Sequence, residues 1–298
     1  MRLPENIDYF VESVNRTGKQ LIERGFWEIP ESRLDSWCRQ FCGPEEQFFA
    51  ACLLDQTIFR SRLQFESALR TLFRSNLFGA VFPGQNDLCL AEAVQGSPDP
   101  KIRLIPVICE TDPPTKSGPL VMRRLQRILR FNSKWMCWPW QAPRAIDEKG
   151  ITTIVFVDDF LGSGRQFERF FHQWEFEKQI NSGVRHIYAP VVAHQTGLDY
   201  LAMVLPSVAV VCVEKLGASH RFFNEKTWDH IGQGQVSADD AKSWYLDFAT
   251  KRKIAPKSVN PLGYGELELA FGFSHATPNN SLPILWHSSE DWQPLLER

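Results

Sequence analysis

Residues 151–167 read ITTIVFVDDFLGSGRQF and contain a complete strand–turn–helix pattern. The β-branched run 154–157 predicts a buried parallel strand, because apolar residues fill both faces of such strands. Asp158 and Asp159 follow directly, and then the turn Gly162-Ser163-Gly164. Glycine lets backbone N–H groups turn toward an anion, and the start of a helix adds its positive end. This stretch therefore predicts a site for a phosphorylated sugar.

The two carboxylates have a defined task in this pattern. We expect Asp158 and Asp159 at the carboxyl end of the strand, where they can accept hydrogen bonds from two neighbouring sugar hydroxyls. A helix is predicted over residues 165–180. The simpler alternative is a strand, turn and helix with a solvated acidic turn, as in response-regulator-like folds.

Composition narrows the class of protein. The chain has 298 residues, of which 43% are hydrophobic and 23% charged, values that are ordinary for a soluble globular protein. It has no run of about 18 apolar residues, so no membrane partner is expected. The start MRLPENIDYF lacks a signal-peptide core, which predicts a cytoplasmic protein. The seven cysteines show no zinc-type spacing and are expected to be free thiols.

Charge is unevenly distributed along the chain. The net charge of −2 gives no general affinity for nucleic acid, which we expect to be reached only through partners. Residues 101–150 are the exception, with 10 Lys and Arg against 4 Asp and Glu. Within them, Lys116-Ser117-Gly118 stands before a helix predicted from Pro119, which makes a second candidate anion site. A plain polar turn is the alternative.

The order of predicted elements indicates three regions. Residues 1–100 have a helical pattern, and residues 101–215 alternate strands with helices. Residues 216–298 form an α+β extension. Alternating strands and helices predict an α/β core with a parallel sheet, in which a ligand binds at the carboxyl ends of the strands, near Asp158.

The central stretch resembles the PRPP-binding motif of type I phosphoribosyltransferases. In that family a hydrophobic strand leads into two acidic residues and then Thr/Ser-Gly-x-Thr/Ser. In this chain the acidic pair is Asp158-Asp159, and Ser163-Gly164 matches the Thr/Ser-Gly step. Two positions depart from the pattern: Arg165 stands where a small residue is usual, and Gln166 replaces the final Thr/Ser.

The resemblance implies a transferase that binds PRPP with Mg²⁺ and releases pyrophosphate. Asp158 and Asp159 would be the catalytic pair, holding the ribose hydroxyls and, indirectly, the metal. Pyrophosphate would contact Lys116, Ser117 and Gly118. The 5-phosphate would contact Leu161, Gly162, Ser163, Gly164, Arg165 and Gln166. A non-catalytic module that senses PRPP or a nucleotide is the alternative.

A polar turn near the carboxyl terminus supplies a second resemblance. Residues 274–286 read SHATPNNSLPILW and, with the overall layout, are similar to phosphoribosyltransferase-like proteins of bacterial conflict and retron-type defence systems. This implies an anti-phage effector with protein partners from such a system. A toxin-like effector that consumes nucleotides is a further possibility. We expect His275, together with Asn279 or Asn280, to face the acceptor base near the sheet, although His275 as a structural cap is the simpler alternative.

Overall fold

A computed structural model of the chain describes residues 3–85, 90–95, 100–113, 115–180, 183–255 and 259–298. It divides into two compact units. The first unit comprises Met1–Arg62 and Gly217–Arg298, and the second is Leu63–Leu216. Sequence had suggested boundaries after residues 100 and 215. In the structure the helices of residues 63–95 belong to the same unit as the parallel sheet.

In chain order, the α-helices of the described residues are α1 (Ile7–Glu23), α2 (Glu31–Cys38), α3 (Pro44–Asp55), α4 (Arg62–Thr71), α5 (Leu77–Val81), α6 (Leu90–Gln95), α7 (Ser117–Leu129), α8 (Ala142–Lys149), α9 (Arg165–Gln173), α10 (Glu177–Ile180), α11 (Gln195–Val204), α12 (Glu225–Ile231), α13 (Ala238–Lys251) and α14 (Pro283–Trp286). The strands are β1 (Ile58–Arg60), β2 (Ile102–Pro106), β3 (Thr153–Leu161), β4 (Arg185–His194), β5 (Val208–Val210), β6 (Glu214–Leu216) and β7 (Phe271–Phe273). A π-helical turn, Leu72–Asn76, joins α4 to α5.

The sheet of the second unit is parallel, with strand order β2-β3-β4-β5 and with β6 also paired to β4. The predicted α/β class with a parallel sheet is thus confirmed. The acidic pair was predicted at the very end of the strand, and the strand in fact ends two residues later, at Leu161. β3 continues through Asp158 and Asp159, and its pairing with β4 reaches Leu161 opposite Ala193. This longer ladder fixes the backbone on both sides of the acidic pair.

Aromatic packing holds the sheet to its covering helix. The ring of Phe156 in β3 lies 5.4 Å from Phe167 and 5.5 Å from Phe170, both on α9. The predicted helix 165–180 is interrupted after Gln173, because Glu175 takes a left-handed φ of 52° that ends the regular hydrogen bonding. The chain resumes as the short helix α10.

The first unit packs its helices around a second aromatic core. Phe49 of α3 stacks on Tyr245 of α13, with ring centroids 5.5 Å apart and planes 5° from parallel. Strands β1 and β7 form a separate parallel pair. Glu268 is a buried carboxylate held by Arg221 at 2.8 Å and Lys242 at 2.6 Å. None of the described helices combines the length with the apolar character that crossing a bilayer requires.

His186 should make the second unit sensitive to mild acid. Its ring is 1% exposed and stacks on Phe156 at 5.7 Å, and burial lowers its pKa to about 4. An unfolded histidine titrates near 6.5, so the unfolded state takes up the proton first as the pH falls. We expect stability that is complete above about pH 6.5 to decline toward pH 4, by roughly 3 kcal/mol from this group.

Chemical denaturation of wild type and His186→Leu between pH 7 and pH 4 measures this effect. The variant should lose part of the pH dependence, because leucine has no proton to gain. The matched control is His230→Leu, at an exposed position. Identical pH profiles for wild type and His186→Leu would show that His186 contributes nothing to acid sensitivity.

Candidate functional site

The turn between β3 and α9 presents unused backbone donors. Gly164 precedes α9 and has a left-handed φ of 85°, a conformation that glycine adopts without the strain a Cβ brings. Within the described part of the chain, no group accepts a hydrogen bond from the N–H of Ser163 or Gly164. Ser163 itself is half-buried. Free N–H groups at the positive end of a helix form a site suited to a phosphate.

Helix α11 fixes this turn from one side. A Cβ on Gly197 would lie 2.3 Å from the carbonyl oxygen of Gly162, so only glycine allows this approach. A Cβ on Gly164 would lie 2.7 Å from Tyr200 Cδ1. Sequence reasoning missed Gly197, since a glycine near the start of a predicted helix gives no hint of what it packs against. The turn is therefore held in place before any ligand arrives.

The two carboxylates of the acidic pair have different surroundings. Asp158 is 2% exposed, and both of its oxygens accept hydrogen bonds from the protein. The Tyr188 hydroxyl donates to Oδ2 at 2.9 Å, and the Asp159 backbone N–H donates to Oδ1 at 3.0 Å. Burial raises the pKa of Asp158 well above its usual range, and the nearby charge of Asp159 raises it further.

Tyr188 connects Asp158 to the helix behind the turn. It lies in β4 with 1% exposure, and its ring stacks on Phe167 of α9 at 3.8 Å. Burial raises the pKa of Tyr188, so the hydroxyl keeps its proton and serves as a donor. Sequence reasoning missed this residue, although a tyrosine in a buried strand needs a hydrogen-bond partner. Through its hydrogen bond with Tyr188, Asp158 thus links β3 to β4 and to α9.

Asp159 lies beside the second predicted anion segment. The hydroxyl of Ser117, at the start of α7, donates to Asp159 Oδ1 at 3.1 Å. Gly118 allows the helix to approach β2, because a Cβ there would lie 2.8 Å from the carbonyl oxygen of Val107. The structure therefore brings together the acidic pair and the segment 116–118, which are about 40 residues apart in sequence.

Lys116 bridges the two loops. Its Nζ donates to the Oε1 of Gln166 at 3.2 Å and lies 4.0 Å from the carboxylate of Asp112. Gln166 occupies the position where the resemblance had led us to expect Thr or Ser. Its amide oxygen is used by the lysine, which brings a positive charge to the start of α9. Gln166, which departs from the motif, is therefore the hydrogen-bond partner of Lys116.

Arg165 is turned toward α11. Its guanidinium carbon lies 4.2 Å from the ring centre of Tyr200, within cation–π distance, and it approaches Glu168 at 3.7 Å. The Tyr200 hydroxyl also donates to Glu168 at 2.7 Å. With its side chain 60% exposed, Arg165 keeps its charge at the rim of the turn rather than inside it.

The acidic pair could contribute to binding a metal ion whose other ligands come from the substrate and from water. Among the described residues, no group of three or more His, Cys, Asp or Glu side chains could enclose a metal ion. Asp159 is the less buried carboxylate of the pair and accepts a hydrogen bond from Ser117, whereas both oxygens of Asp158 accept hydrogen bonds inside the protein, so Asp159 is the candidate for such a role. Mg²⁺ commonly binds through one or two carboxylates together with substrate phosphates and water. The site fits Mg²⁺ on those terms.

The carboxyl-terminal polar turn belongs to the other unit. His275 stacks on Phe273 at 5.0 Å, and the carbonyl of Asn279 accepts from the Tyr264 N–H at 2.7 Å. Asn280 donates to the carbonyl of Tyr264 at 2.8 Å. These hydrogen bonds hold the turn against the backbone of Tyr264, so the turn contributes to the structure of its own unit. The approach of His275 and Asn279 to an acceptor base near Asp159 stays a prediction.

The comparison with known families agrees with this geometry. The family model PRTase-CE matches residues 34–298, which is most of the chain and includes every candidate site residue. The chain belongs to this phosphoribosyltransferase-like family. No curated protein and no solved structure gives a significant match to it.

Proposed function

We propose that this member of the PRTase-CE family binds PRPP, or a nucleotide that shares its 5-phosphoribosyl group, at the turn between β3 and α9. The observation that carries the proposal is the set of free N–H groups at Ser163 and Gly164, with Asp159 on the preceding strand. The phosphate of the ligand binds to these N–H groups and a ribose hydroxyl binds to Asp159, so a single phosphoribosyl ligand provides a partner for each.

Each side chain has a role in this complex. The N–H groups of residues 162–165 and the Ser163 hydroxyl bind the 5-phosphate. Asp159 accepts a hydrogen bond from a ribose hydroxyl. Asp158 positions Asp159 by accepting a hydrogen bond from the Asp159 backbone N–H. Lys116 is placed by Gln166 where it can neutralise pyrophosphate. The segment 116–118 thus binds the second anionic end of PRPP.

The proposed reaction is transfer of the phosphoribosyl group with release of pyrophosphate. It needs correct positioning and stabilisation of the departing charge more than a covalent nucleophile. Lys116 provides positive charge, and the N–H groups of α7 begin beside it. Bound Mg²⁺ would supply further neutralisation of the pyrophosphate oxygens. The acceptor would be a base, and a role of His275 and Asn279 in selecting it stays a prediction.

Sensing without turnover is the second candidate function. It is favoured by the two departures from the motif, because Lys116 is already bonded to Gln166 and Arg165 is already packed on Tyr200. In these positions Lys116 and Arg165 can bind an anionic ligand. To stabilise pyrophosphate as it leaves, each would first have to break its contact with Gln166 or Tyr200. A module of this kind would report PRPP or nucleotide levels to a partner protein.

Calorimetry with PRPP and Mg²⁺, followed by an assay for pyrophosphate release with candidate bases, separates these functions. Binding with release supports the transferase, and saturable binding without release from any base supports the sensor. Absence of binding to PRPP and to nucleotides would contradict both.

A role as an effector in bacterial anti-phage defence is also part of the proposal. It is supported by the resemblance of residues 274–286 to proteins of such systems. The test is phage plating on bacteria that carry the gene with its genomic neighbours. Wild type should reduce plaque numbers, and Asp159→Asn should restore them. Equal plating for wild type, variant and empty vector would contradict the defence role.

A further inference from the structure

The helices α4 and α7 expose an unusual excess of positive charge. Residues 63–76 and 117–130 together contain six arginines, no lysine and a single carboxylate, Glu66. The whole chain has a net charge of −2, so this is a local concentration rather than a general property. Neither segment contributes Arg side chains to the site described above.

The two segments lie side by side. The Arg124 guanidinium carbon of α7 is 5.9 Å from the ring centre of Phe65 in α4. Further along, Phe73 in the π-helical turn lies 5.7 Å from Phe131, just after α7. The contacts advance in the same direction on both segments, so the helices run parallel. The arginines of both segments are therefore carried by neighbouring parts of the second unit.

Five of these arginines are exposed and unpaired. Arg70 and Arg74 lie on the α4 side, and Arg123, Arg127 and Arg130 lie on α7 or at its end. Among the described residues, none of the five makes an ion pair or hydrogen bond through its side chain. From Arg123 to Arg130 the chain advances by seven residue steps, or about 10 Å along α7 and its end. We call these five residues the arginine surface.

We propose that the arginine surface is a docking site for the phosphate backbone of duplex nucleic acid. The assignment rests on charge complementarity: guanidinium groups bind phosphate through two donors at once, and unpaired arginines have no carboxylate to displace. On α7 the spacing of Arg123, Arg127 and Arg130 puts them in one row along the helix, which can follow a row of phosphates on a duplex. The binding is independent of base sequence and of PRPP.

The same surface is poorly suited to other anionic partners. Neither segment 63–76 nor segment 117–130 exposes an aromatic ring on which unpaired bases of a single strand could stack, and the exposed Trp138 and Trp140 lie outside both segments. The large apolar side chains exposed on these helices, Leu63 and Leu120, lie at their amino-terminal ends, away from most of the arginines. A membrane-bound helix would instead need an apolar face along its length.

The test is fluorescence anisotropy with a labelled 20-base-pair DNA duplex over a range of salt concentrations. Wild type should bind, with an affinity that falls as salt rises. The triple variant Arg123→Gln, Arg127→Gln and Arg130→Gln should bind at least about tenfold more weakly. Its dependence of log affinity on log salt should be less steep by nearly one per arginine removed.

A second triple variant is the matched control. Arg144→Gln, Lys149→Gln and Lys178→Gln remove the same charge from α8 and α10 of the same unit, and should leave duplex binding within about twofold. Thermal unfolding of each variant verifies that it is folded. The proposal is overturned if wild type fails to bind the duplex, if the two triple variants weaken binding equally, or if a single-stranded 20-mer or anionic vesicles bind more tightly than the duplex.

Discussion

A Gly164→Val protein should bind PRPP on the order of 100-fold more weakly than wild type, or worse. The residue has a φ of 85°, and a Cβ there would lie 2.7 Å from Tyr200 and 3.3 Å from the Gly197 carbonyl. Valine must therefore move the turn away from α11. The N–H groups of Ser163 and Gly164 then lose their common direction, and hydrogen bonds to a charged phosphate are worth about 1.5–3 kcal/mol each.

Gly183→Val is the matched control for this prediction. Gly183 also has a positive φ, 79°, but a Cβ there has no atom within 4 Å. The Gly183→Val protein should unfold at a lower temperature, because valine is strained at a positive φ, and its affinity for PRPP should be unchanged. Ser163→Ala should lie between the two, since it loses one hydrogen bond to a charged group, which is worth about 10-fold in affinity at the lower end of its usual range. Equal affinity of the Gly164 and Gly183 variants for ribose 5-phosphate would contradict the phosphate site.

Asp159→Asn should weaken PRPP binding by roughly 10- to 150-fold, the value of a hydrogen bond to a charged group. Asp159 keeps one oxygen beside Ser117 and lies where β3 approaches the phosphate turn. The asparagine has nearly the same shape, so the fold should be unaffected. Unphosphorylated ribose should lose the same factor, because the lost bond involves a hydroxyl and not the phosphate. Titration calorimetry with both ligands measures this.

Asp158→Asn is predicted to behave differently from Asp159→Asn. Its effect should be chiefly on stability, because the side chain is bonded to Tyr188 and to the Asp159 N–H and is almost fully buried. Tyr188→Phe should reproduce part of that loss, about 1–3 kcal/mol for a buried group left without its partner. If Asp158→Asn abolished binding while unfolding at the wild-type temperature, Asp158 would be a ligand residue and the division of roles would be wrong.

The local pattern around the acidic pair could be predicted from the sequence because its parts are adjacent. Apolar β-branched residues favour a strand, and the two glycines of Gly-Ser-Gly favour a turn directly after it. The end of β3 could not be predicted in the same way. Strand length depends on the pairing of Phe160 and Leu161 with β4, which lies about 30 residues later.

The roles of Tyr188 and Gly197 depend on contacts between distant segments. Tyr188 reads as an ordinary aromatic residue in a strand, and only the fold shows that its hydroxyl meets Asp158. Gly197 reads as a weak point in a helix, yet it touches the carbonyl of Gly162. No local propensity encodes either contact, which is why composition and spacing did not reveal them.

The polar turn at residues 274–281 illustrates a different difficulty. Its residues were conspicuous in an apolar region, which suggested a ligand. In the structure Thr277 donates to the carbonyl of Glu297, Asn280 to Tyr264 and Ser281 to Phe271. Buried polar side chains are commonly used to satisfy backbone groups in this way. Sequence shows that such residues are present but not in which direction their hydrogen bonds point.

The central claim is that the turn between β3 and α9 holds the 5-phosphate of a phosphoribosyl ligand. A crystal structure of the protein soaked with PRPP and Mg²⁺ tests it most directly. We predict that the 5-phosphate lies within hydrogen-bond distance of the Ser163 and Gly164 N–H groups, with a ribose hydroxyl on Asp159. Bound PRPP whose phosphate lies elsewhere, with the turn left free, would contradict the claim.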